Sequence, residues 1–287
     1  MADPLRLSKL TLMTTPQLTL NDGTTIPQLG FGVWQVGSEE IVPSVVTAIQ
    51  TGYRLIDTAA IYGNEEGVGE AIRQGGVPRE ELYITTKLWN IDHIHAETAL
   101  DESLRKLGLD SVDLYLIHWP TPKQDKYLEA WKSLIELRKS GKVRSIGVSN
   151  FTAANLEKII GETGEVPCVN QIELHPGFPQ TAMREANSSL GIVTESWSPL
   201  GQGKGLLDSN ILREIGAKHG RTPAQSVLRW HLQLGLVAIP KSVTPSRIQE
   251  NFEVFGFELD TDDLGAISQL EDGQRLGGDP ETANYGF

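Results

Sequence analysis

The sequence predicts a (β/α)8 barrel, a closed sheet of eight parallel strands surrounded by helices. Short apolar, strand-like segments alternate with amphipathic helical segments along almost the whole chain. Eight strand–helix units in about 250 residues match the size and count of this fold. A doubly wound open sheet is the alternative, but it needs a topological switch point and usually has fewer units. Because no Pro/Ser-rich linker divides the chain, we expect residues 1–287 to form one domain.

The elements follow in a regular order. The segment LTLNDGTTIP predicts a β-hairpin that turns at Asn21–Gly23, and residues 1–16 precede the barrel as an extension whose order the sequence leaves open. The predicted strands are QLGFGVW, YRLIDTA, LYITTKLW, VDLYLIHW, VRSIGVSNF, VNQIELHP, GIVTESWSPL and LVAIPKS. The predicted helices are 39–51, EEGVGEAIRQ, HAETALDESLRKLG, 127–139, 153–161, 181–189, two segments between 209 and 234, and 245–254.

Composition excludes several classes of protein. The formal net charge is −12, and no run of Lys and Arg is longer than two residues, so binding to nucleic acid or to an anionic membrane is disfavoured. The N-terminal segment lacks the apolar stretch of a signal peptide, and no window is apolar enough to span a membrane. The single cysteine, Cys168, fits a reducing compartment. We therefore expect a cytoplasmic protein.

Polar side chains stand where the predicted strands end. Asp57 ends YRLIDTA, Lys87 lies near the end of LYITTKLW, His118 ends VDLYLIHW, and Tyr62 follows shortly after Asp57. Singly, each has a plainer explanation, since Asp57 or Ser149 would suit a helix cap and Lys87 a partner for any surface acid. In a (β/α)8 barrel, however, the C-terminal ends of all strands meet at one mouth and form the active site.

These four side chains suggest carbonyl reduction. Free tyrosine titrates near ~10, too high for an efficient proton donor, and a neighbouring ammonium lowers that pKa. An aspartate would keep Lys87 charged and oriented, and a neutral His118 would hydrogen-bond a substrate carbonyl. The set suits protonation of an oxygen that becomes an alkoxide. Two alternatives remain open: an aldolase that uses Lys87 as a Schiff base, and a non-catalytic nucleotide-sensing subunit.

Six motifs in order resemble the aldo-keto reductase family, over almost the whole chain. They are GYRLIDTAAIYGNEEGVG, YITTKLWN, VDLYLIHWP, IGVSNF, NQIELHP and IPKSVTPSRIQENF. The resemblance implies a (β/α)8 barrel that reduces aldehydes and ketones with NADPH. It implies a catalytic tetrad of Asp57, Tyr62, Lys87 and His118, with Tyr62 as the general acid and a hydride delivered from nicotinamide C4.

The same resemblance implies a coenzyme site. Ser149, Asn150 and Gln171 match the residues that bind the carboxamide, and Trp197 stands where many members have a tyrosine stacked on the nicotinamide. The strand-seven loop implies contacts to the pyrophosphate from Ser198, Leu200 and Gln202. The pocket for the adenosine 2′-phosphate is implied at Lys241, Ser242, Val243, Thr244, Arg247 and Asn251. Independently, KSVTPSR places cations and hydroxyls around a helix start, which suits a phosphate.

Other motifs are assigned no chemistry. LGFGVW lacks the third glycine of a dinucleotide fingerprint, and GQGKG lacks the spacing and the Ser/Thr of a Walker loop. We expect His93 and His95 to be a surface-exposed pair that diverges, so no metal site is predicted. We assign Glu173 and His175 to barrel packing and turn formation.

The predicted substrate is a small-molecule carbonyl compound. Trp34, Trp89 and Trp119 each follow a strand end, where indoles would wall an apolar cleft. The loop after His118 and the C-terminal tail are short, which indicates an open pocket, and SWSPLGQGK is similar to the bacterial branch that includes 2,5-diketo-D-gluconate reductases. Dicarbonyls such as methylglyoxal, sugar-derived ketones and aromatic aldehydes all remain open. We expect a monomer.

Overall fold

The predicted barrel is present in a computed structural model that describes residues 15–287. A hairpin of β1 (Gln17–Thr19) and β2 (Thr25–Pro27) precedes an eight-stranded parallel sheet. The eight strands of that sheet are β3 (Gly30–Gly32), β4 (Leu55–Asp57), β5 (Tyr83–Leu88), β6 (Val112–Ile117), β7 (Val143–Ser149), β8 (Val169–Glu173), β9 (Val193–Trp197) and β10 (Val237–Ala238). All eight predicted strands are confirmed. The order of residues 1–14, most of the predicted extension, lies outside the described residues.

The sheet closes between its first and last strands. Strands pair in sequence order from β3 to β10, and a parallel bridge between Leu29 and Ala238 joins the two edges. The Gly32 amide donates to the Pro240 carbonyl at 3.0 Å. A Cβ atom at Gly32 would lie 2.9 Å from the Ile239 carbonyl oxygen, so only glycine allows this approach. The glycines of LGFGVW therefore serve barrel closure.

Helices cover the outside of the barrel. They are α1 (Ile41–Thr51), α2 (Glu65–Gln74), α3 (Ala96–Leu107), α4 (Tyr127–Lys139), α5 (Ala153–Thr163), α6 (Thr181–Ser189), α7 (Asn210–His219), α8 (Pro223–Gln233), α9 (Pro245–Phe252) and α10 (Thr261–Ser268). The first nine are the predicted helices. The sequence reading missed α10, although Asp260 and Asp263 form a capping box at its start.

The hairpin covers the end of the barrel where the strands begin. Leu20 and Ile26 pack against Leu55, Leu114 and Val237, all near strand starts. Apolar side chains fill the barrel interior at this end, whereas the polar residues predicted for the site lie at the opposite end, where the strands stop. Strands β5 and β6 are buried at every position, as expected when helices cover one face of a sheet and the barrel interior the other.

Candidate active site

The barrel brings the four predicted catalytic residues together. Asp57 is the last residue of β4, Lys87 lies one residue before the end of β5, and His118 directly follows β6. Tyr62 ends a short 3-10 helix, Ala60–Tyr62, just beyond β4. Neither Asp57 nor Ser149 caps a helix: Thr152 makes the capping contact at the start of α5. The plainer explanations for these residues therefore do not hold.

Lys87 is a buried ammonium held by Asp57. Its Nζ donates to Asp57 Oδ1 at 2.6 Å and to the Thr58 carbonyl at 2.8 Å, and Lys87 is 0% exposed. Burial acts against the charged form, but Asp57, with further contributions from Tyr62 and Glu195, outweighs burial, so the pKa of Lys87 is raised. A Schiff-base lysine must be a neutral amine, so this environment argues against the aldolase alternative.

Tyr62 lies beside this ion pair. Lys87 Nζ is 5.1 Å from the centre of the Tyr62 ring, and the side chain of Tyr62 is partly exposed towards the mouth. Burial of the hydroxyl raises the pKa of Tyr62; the Lys87 ammonium lowers it, and the negative charge of Asp57 raises it again. Lys87 lowers the pKa of Tyr62 as expected, but burial outweighs this effect, so the pKa lies above that of free tyrosine and not below it. The phenol consequently keeps its proton at neutral pH.

His118 completes the group as a neutral imidazole. Its ring packs edge-on against Tyr62, with centroids 5.6 Å apart, and against Trp89 at 5.2 Å. Burial, with a smaller effect from Lys87, holds the pKa of His118 well below its usual value. A neutral ring can donate one hydrogen bond to a carbonyl oxygen without competing for the proton of Tyr62.

The predicted carboxamide-binding residues form one hydrogen-bonded network. Ser149 Oγ donates to the Gln171 carbonyl at 2.8 Å, and Asn150 Nδ2 donates to the His118 carbonyl at 2.9 Å. Trp197 Nε1 donates to Asn150 Oδ1 at 2.8 Å, which ties the predicted stacking residue to the trio. Asn150 has a φ of 62°, and such strained backbone at a non-glycine residue concentrates at functional sites.

The loop after β9 shows the same strain. Ser198 and Gln202 have φ values of 53° and 54°, and Gln202 Nε2 donates to Ser198 Oγ at 2.9 Å. Leu200 is half-buried and packs into the apolar cluster beneath the loop. These three predicted pyrophosphate contacts therefore belong to one loop at the coenzyme side of the mouth.

The predicted 2′-phosphate pocket surrounds the start of α9. The Thr244 amide donates to Ser242 Oγ at 3.1 Å, and Lys241 and Arg247 are exposed. Val243 is half-buried and Asn251 is buried on the same segment. Two cations without an ion-pair partner among residues 15–287, together with hydroxyls and a helix N-terminus, fit an anionic phosphate group.

Aromatic side chains surround the mouth. Trp34 is 45% exposed, Trp89 is half-buried, and Trp119 is buried with its ring 6.5 Å from that of Trp197. The C-terminal tail adds Tyr285, whose ring lies 5.1 Å from Trp119 and whose carbonyl accepts a hydrogen bond from Asn90 Nδ2 at 3.0 Å. The sequence reading missed Tyr285, because nothing in the tail itself indicates where it folds back.

Two of the remaining assignments need correction. His95 is exposed but His93 is buried, and burial lowers the pKa of His93 to about 4, so the expected exposed pair is wrong for His93. Glu173 does more than pack: its carboxylate accepts the amides of Leu276 and Gly277 and so anchors the tail. His175 forms the predicted turn, paired with Phe178. Within residues 15–287, no three His, Cys, Asp or Glu side chains are grouped to hold a metal.

The sequence reading also missed Glu195. It lies in the middle of β9, two residues before Trp197 and so on the same face of the strand. Its Oε2 accepts a hydrogen bond from Gln171 Nε2 at 2.9 Å, deep in the barrel. Because residues two positions apart on a strand point to the same face, the predicted inward position of Trp197 could have indicated that Glu195 also faces the barrel interior.

Comparison with known proteins defines the class of this barrel. The model of the aldo/keto reductase family matches residues 28–272. The chain belongs to the aldo/keto reductase family and is an oxidoreductase. Among the described residues, no helix is long and apolar enough to cross a bilayer.

Particular relatives narrow the comparison. The methylglyoxal reductase DkgA of Escherichia coli is 56% identical over 265 residues, which is 92% of this chain and 96% of the relative. An aldo-keto reductase of Mycolicibacterium smegmatis is 53% identical over 273 residues, 94% of this chain and 99% of the relative. The crystal structure of a mutant of Gox0644 in complex with NADPH has a TM-score of 0.91 at 49% identity, covering 95% of this chain and all of that one.

Proposed function

We propose that this enzyme reduces small aldehydes and dicarbonyl compounds, with methylglyoxal as a representative substrate, and that its coenzyme is NADPH. The observation that carries the proposal is the buried Lys87–Asp57 pair beside Tyr62 at the mouth. The NADPH complex of the structural relative and the activity named for DkgA support the same coenzyme and substrate class.

The residues around the mouth fit NADPH. Lys241 and Arg247 with the start of α9 would hold the 2′-phosphate, and Ser198, Leu200 and Gln202 would follow the pyrophosphate. Gln171 and Asn150 would orient the carboxamide with Ser149, and the flat indole of Trp197 would support the ring. When bound, NADPH supplies the hydride that reduces the carbonyl carbon.

The protein's own residues then handle the proton. The neutral His118 donates a hydrogen bond to the substrate carbonyl and orients it, because its depressed pKa keeps it uncharged. Tyr62 gives its proton to the carbonyl oxygen as negative charge develops there. The Lys87 ammonium stabilises the tyrosinate that remains, and Asp57 keeps that ammonium charged and in place.

The mouth supports small, partly apolar substrates. Trp34, Trp89 and Trp119 would contact the substrate, and exposed Ile61 extends the same apolar rim. A rim of indoles with few charges favours carbonyl compounds without large ionic groups. We also propose that the enzyme acts as a monomer and that all 287 residues form one domain.

The test is Tyr62→Phe, assayed by NADPH oxidation with methylglyoxal. We expect turnover to fall by roughly a hundredfold to ten-thousandfold, the usual contribution of a general acid, while NADPH binding changes less than about twofold. His95→Gln, at an exposed residue outside the tetrad, is the matched control and keeps full activity. Turnover of Tyr62→Phe close to that of the wild type would refute the assignment of the acid.

A further inference from the structure

Glu195 is a buried acid that the mechanism above does not use. It is 0% exposed, and in the register of the sheet it lies between Gln171 on β8 and Val237 on β10. Burying a carboxyl group without an ion-pair partner costs free energy, so a carboxyl group in the barrel interior indicates a functional role.

Glu195 is joined to the catalytic ion pair through one amide. Gln171 Nε2 donates to Glu195 Oε2 at 2.9 Å and to Asp57 Oδ2 at 2.8 Å. Asp57 Oδ2 belongs to a carboxylate and can only accept, so the nitrogen of this amide must face it, and the two hydrogens of that nitrogen are used by Asp57 Oδ2 and Glu195 Oε2. The side-chain oxygen of Gln171 is left as the acceptor, and no donor among residues 15–287 reaches it. Asp57 and Glu195 together thus hold the amide of Gln171 with its oxygen left for a ligand.

Two acids share one cation in this cluster. Asp57 Oδ1 is held by Lys87, whereas Glu195 Oε1 is buried and has no hydrogen-bond partner in the described part of the chain. Burial, with repulsion from Asp57, raises the pKa of Glu195 to about 8, which favours its protonated, neutral form near neutral pH. The titratable groups that face it from the surrounding strands and the 3-10 helix are Asp57, Tyr62, Lys87 and Tyr83; β10 contributes none.

We propose that Glu195 is a positioning residue that holds the amide of Gln171 for the coenzyme and that, through its link to the Asp57–Lys87 pair, adjusts proton donation by Tyr62. The inference rests on the proposed roles of Gln171 and Tyr62. Neutral Glu195 leaves Asp57 and Lys87 balanced. An ionised Glu195 adds negative charge near the phenol, raises the pKa of Tyr62 and makes it a weaker acid.

Two substitutions separate the two roles. Glu195→Gln keeps an acceptor oxygen for Gln171 but cannot ionise. Glu195→Leu is similar in volume but leaves one N–H of Gln171 without its acceptor. An uncharged side chain in place of a buried acid generally preserves folding, and a thermal melt of each variant checks it.

The experiment measures kcat/KM for methylglyoxal from pH 6.5 to 9.5 and the Kd of NADPH by fluorescence. We expect kcat/KM of the wild type, relative to its value at pH 6.5, to fall about threefold further by pH 9 than that of Glu195→Gln, since a weaker phenolic acid slows proton transfer. We expect Glu195→Leu to raise the Kd of NADPH about fivefold or more, and Glu195→Gln to leave it within about twofold.

The outcomes decide between the roles. The inference would be overturned if the wild type and Glu195→Gln had identical relative pH profiles and Glu195→Leu bound NADPH as tightly as the wild type. Glu195 would then only pack in the barrel interior. If Glu195→Leu does not fold, the pH profile of Glu195→Gln alone decides. Failure of the proposed function looks different, because Tyr62→Phe would then keep its turnover or the wild type would not oxidise NADPH with methylglyoxal.

Discussion

The substitution Asp57→Asn tests how much the buried Lys87–Asp57 ion pair contributes to stability. In this variant Lys87 keeps the Thr58 carbonyl at 2.8 Å but loses the carboxylate charge that lies 2.6 Å away, while remaining fully buried. Removing one partner of such a pair costs about 3–5 kcal/mol, because the other charge stays out of water without compensation. We expect the free energy of unfolding to fall by that amount, measured by urea unfolding at pH 7 with tryptophan fluorescence.

A surface pair provides the matched control. Lys139 and Glu136 are 2.8 Å apart, but their side chains are 62% and 70% exposed. Glu136→Gln should therefore change the free energy of unfolding by only about 0–1 kcal/mol. If Asp57→Asn loses no more than this control, the conclusion that Lys87 is a charged group held by Asp57 is wrong.

Glu195 allows the same reasoning to be tested a second way. Loss of the Asp57 charge removes a repulsion that raises the pKa of Glu195, so Glu195 can ionise and partly balance Lys87. Asp57→Asn combined with Glu195→Gln removes both acids and should lose about 1 kcal/mol or more beyond the sum of the single changes. Additive losses would contradict electrostatic coupling between the two carboxyl groups.

Three further variants or treatments test other parts of the enzyme. Arg247→Ala should weaken the binding of NADPH by about tenfold to a hundredfold and that of NADH by less than about twofold, since only NADPH carries the 2′-phosphate. Equal losses of affinity for the two coenzymes would contradict the assignment of Arg247 to the 2′-phosphate. Trp197→Phe keeps an aromatic ring but loses the 2.8 Å bond to Asn150, and should raise the Kd of NADPH about twofold to tenfold in a fluorescence titration. Cys168 is buried and its pKa is raised by burial, so a disulfide reagent should modify it slowly in the native enzyme and rapidly in urea; rapid native labelling would contradict this.

Much of the fold followed from local patterns. Eight strands and nine helices were predicted because their apolar periods are set by residues near in sequence. Helix α10 was missed because its segment TDDLGAIS has few apolar residues and no clear apolar stripe, although Asp260 marks its start. The barrel rule then placed Asp57, Lys87 and His118 at one mouth before any contact was known.

The pKa values of the site residues could not be predicted from local sequence patterns. Tyr62 and Lys87 are neighbours as predicted, but the net direction of the Tyr62 pKa depends on how deeply the hydroxyl is buried and on two carboxyl groups. One of these, Glu195, was read as an ordinary strand residue. Likewise Tyr285 reaches Trp119 in a tail that Glu173 and Asn90 hold through its backbone amides and carbonyl, groups that carry no sequence signal.

The sequence by itself determined the barrel and the identity of the side chains at its mouth, and it predicted an anion site in the segment 241–251. Only the tertiary structure decided which acids share the Lys87 charge, because the bonds from Gln171 to Glu195 and Asp57 join residues 24 and 114 positions apart. Periodicity reports which face a residue occupies. The burial and the charge of a residue also depend on the side chains that other strands place against it. Those neighbours are set only when the sheet closes into a barrel.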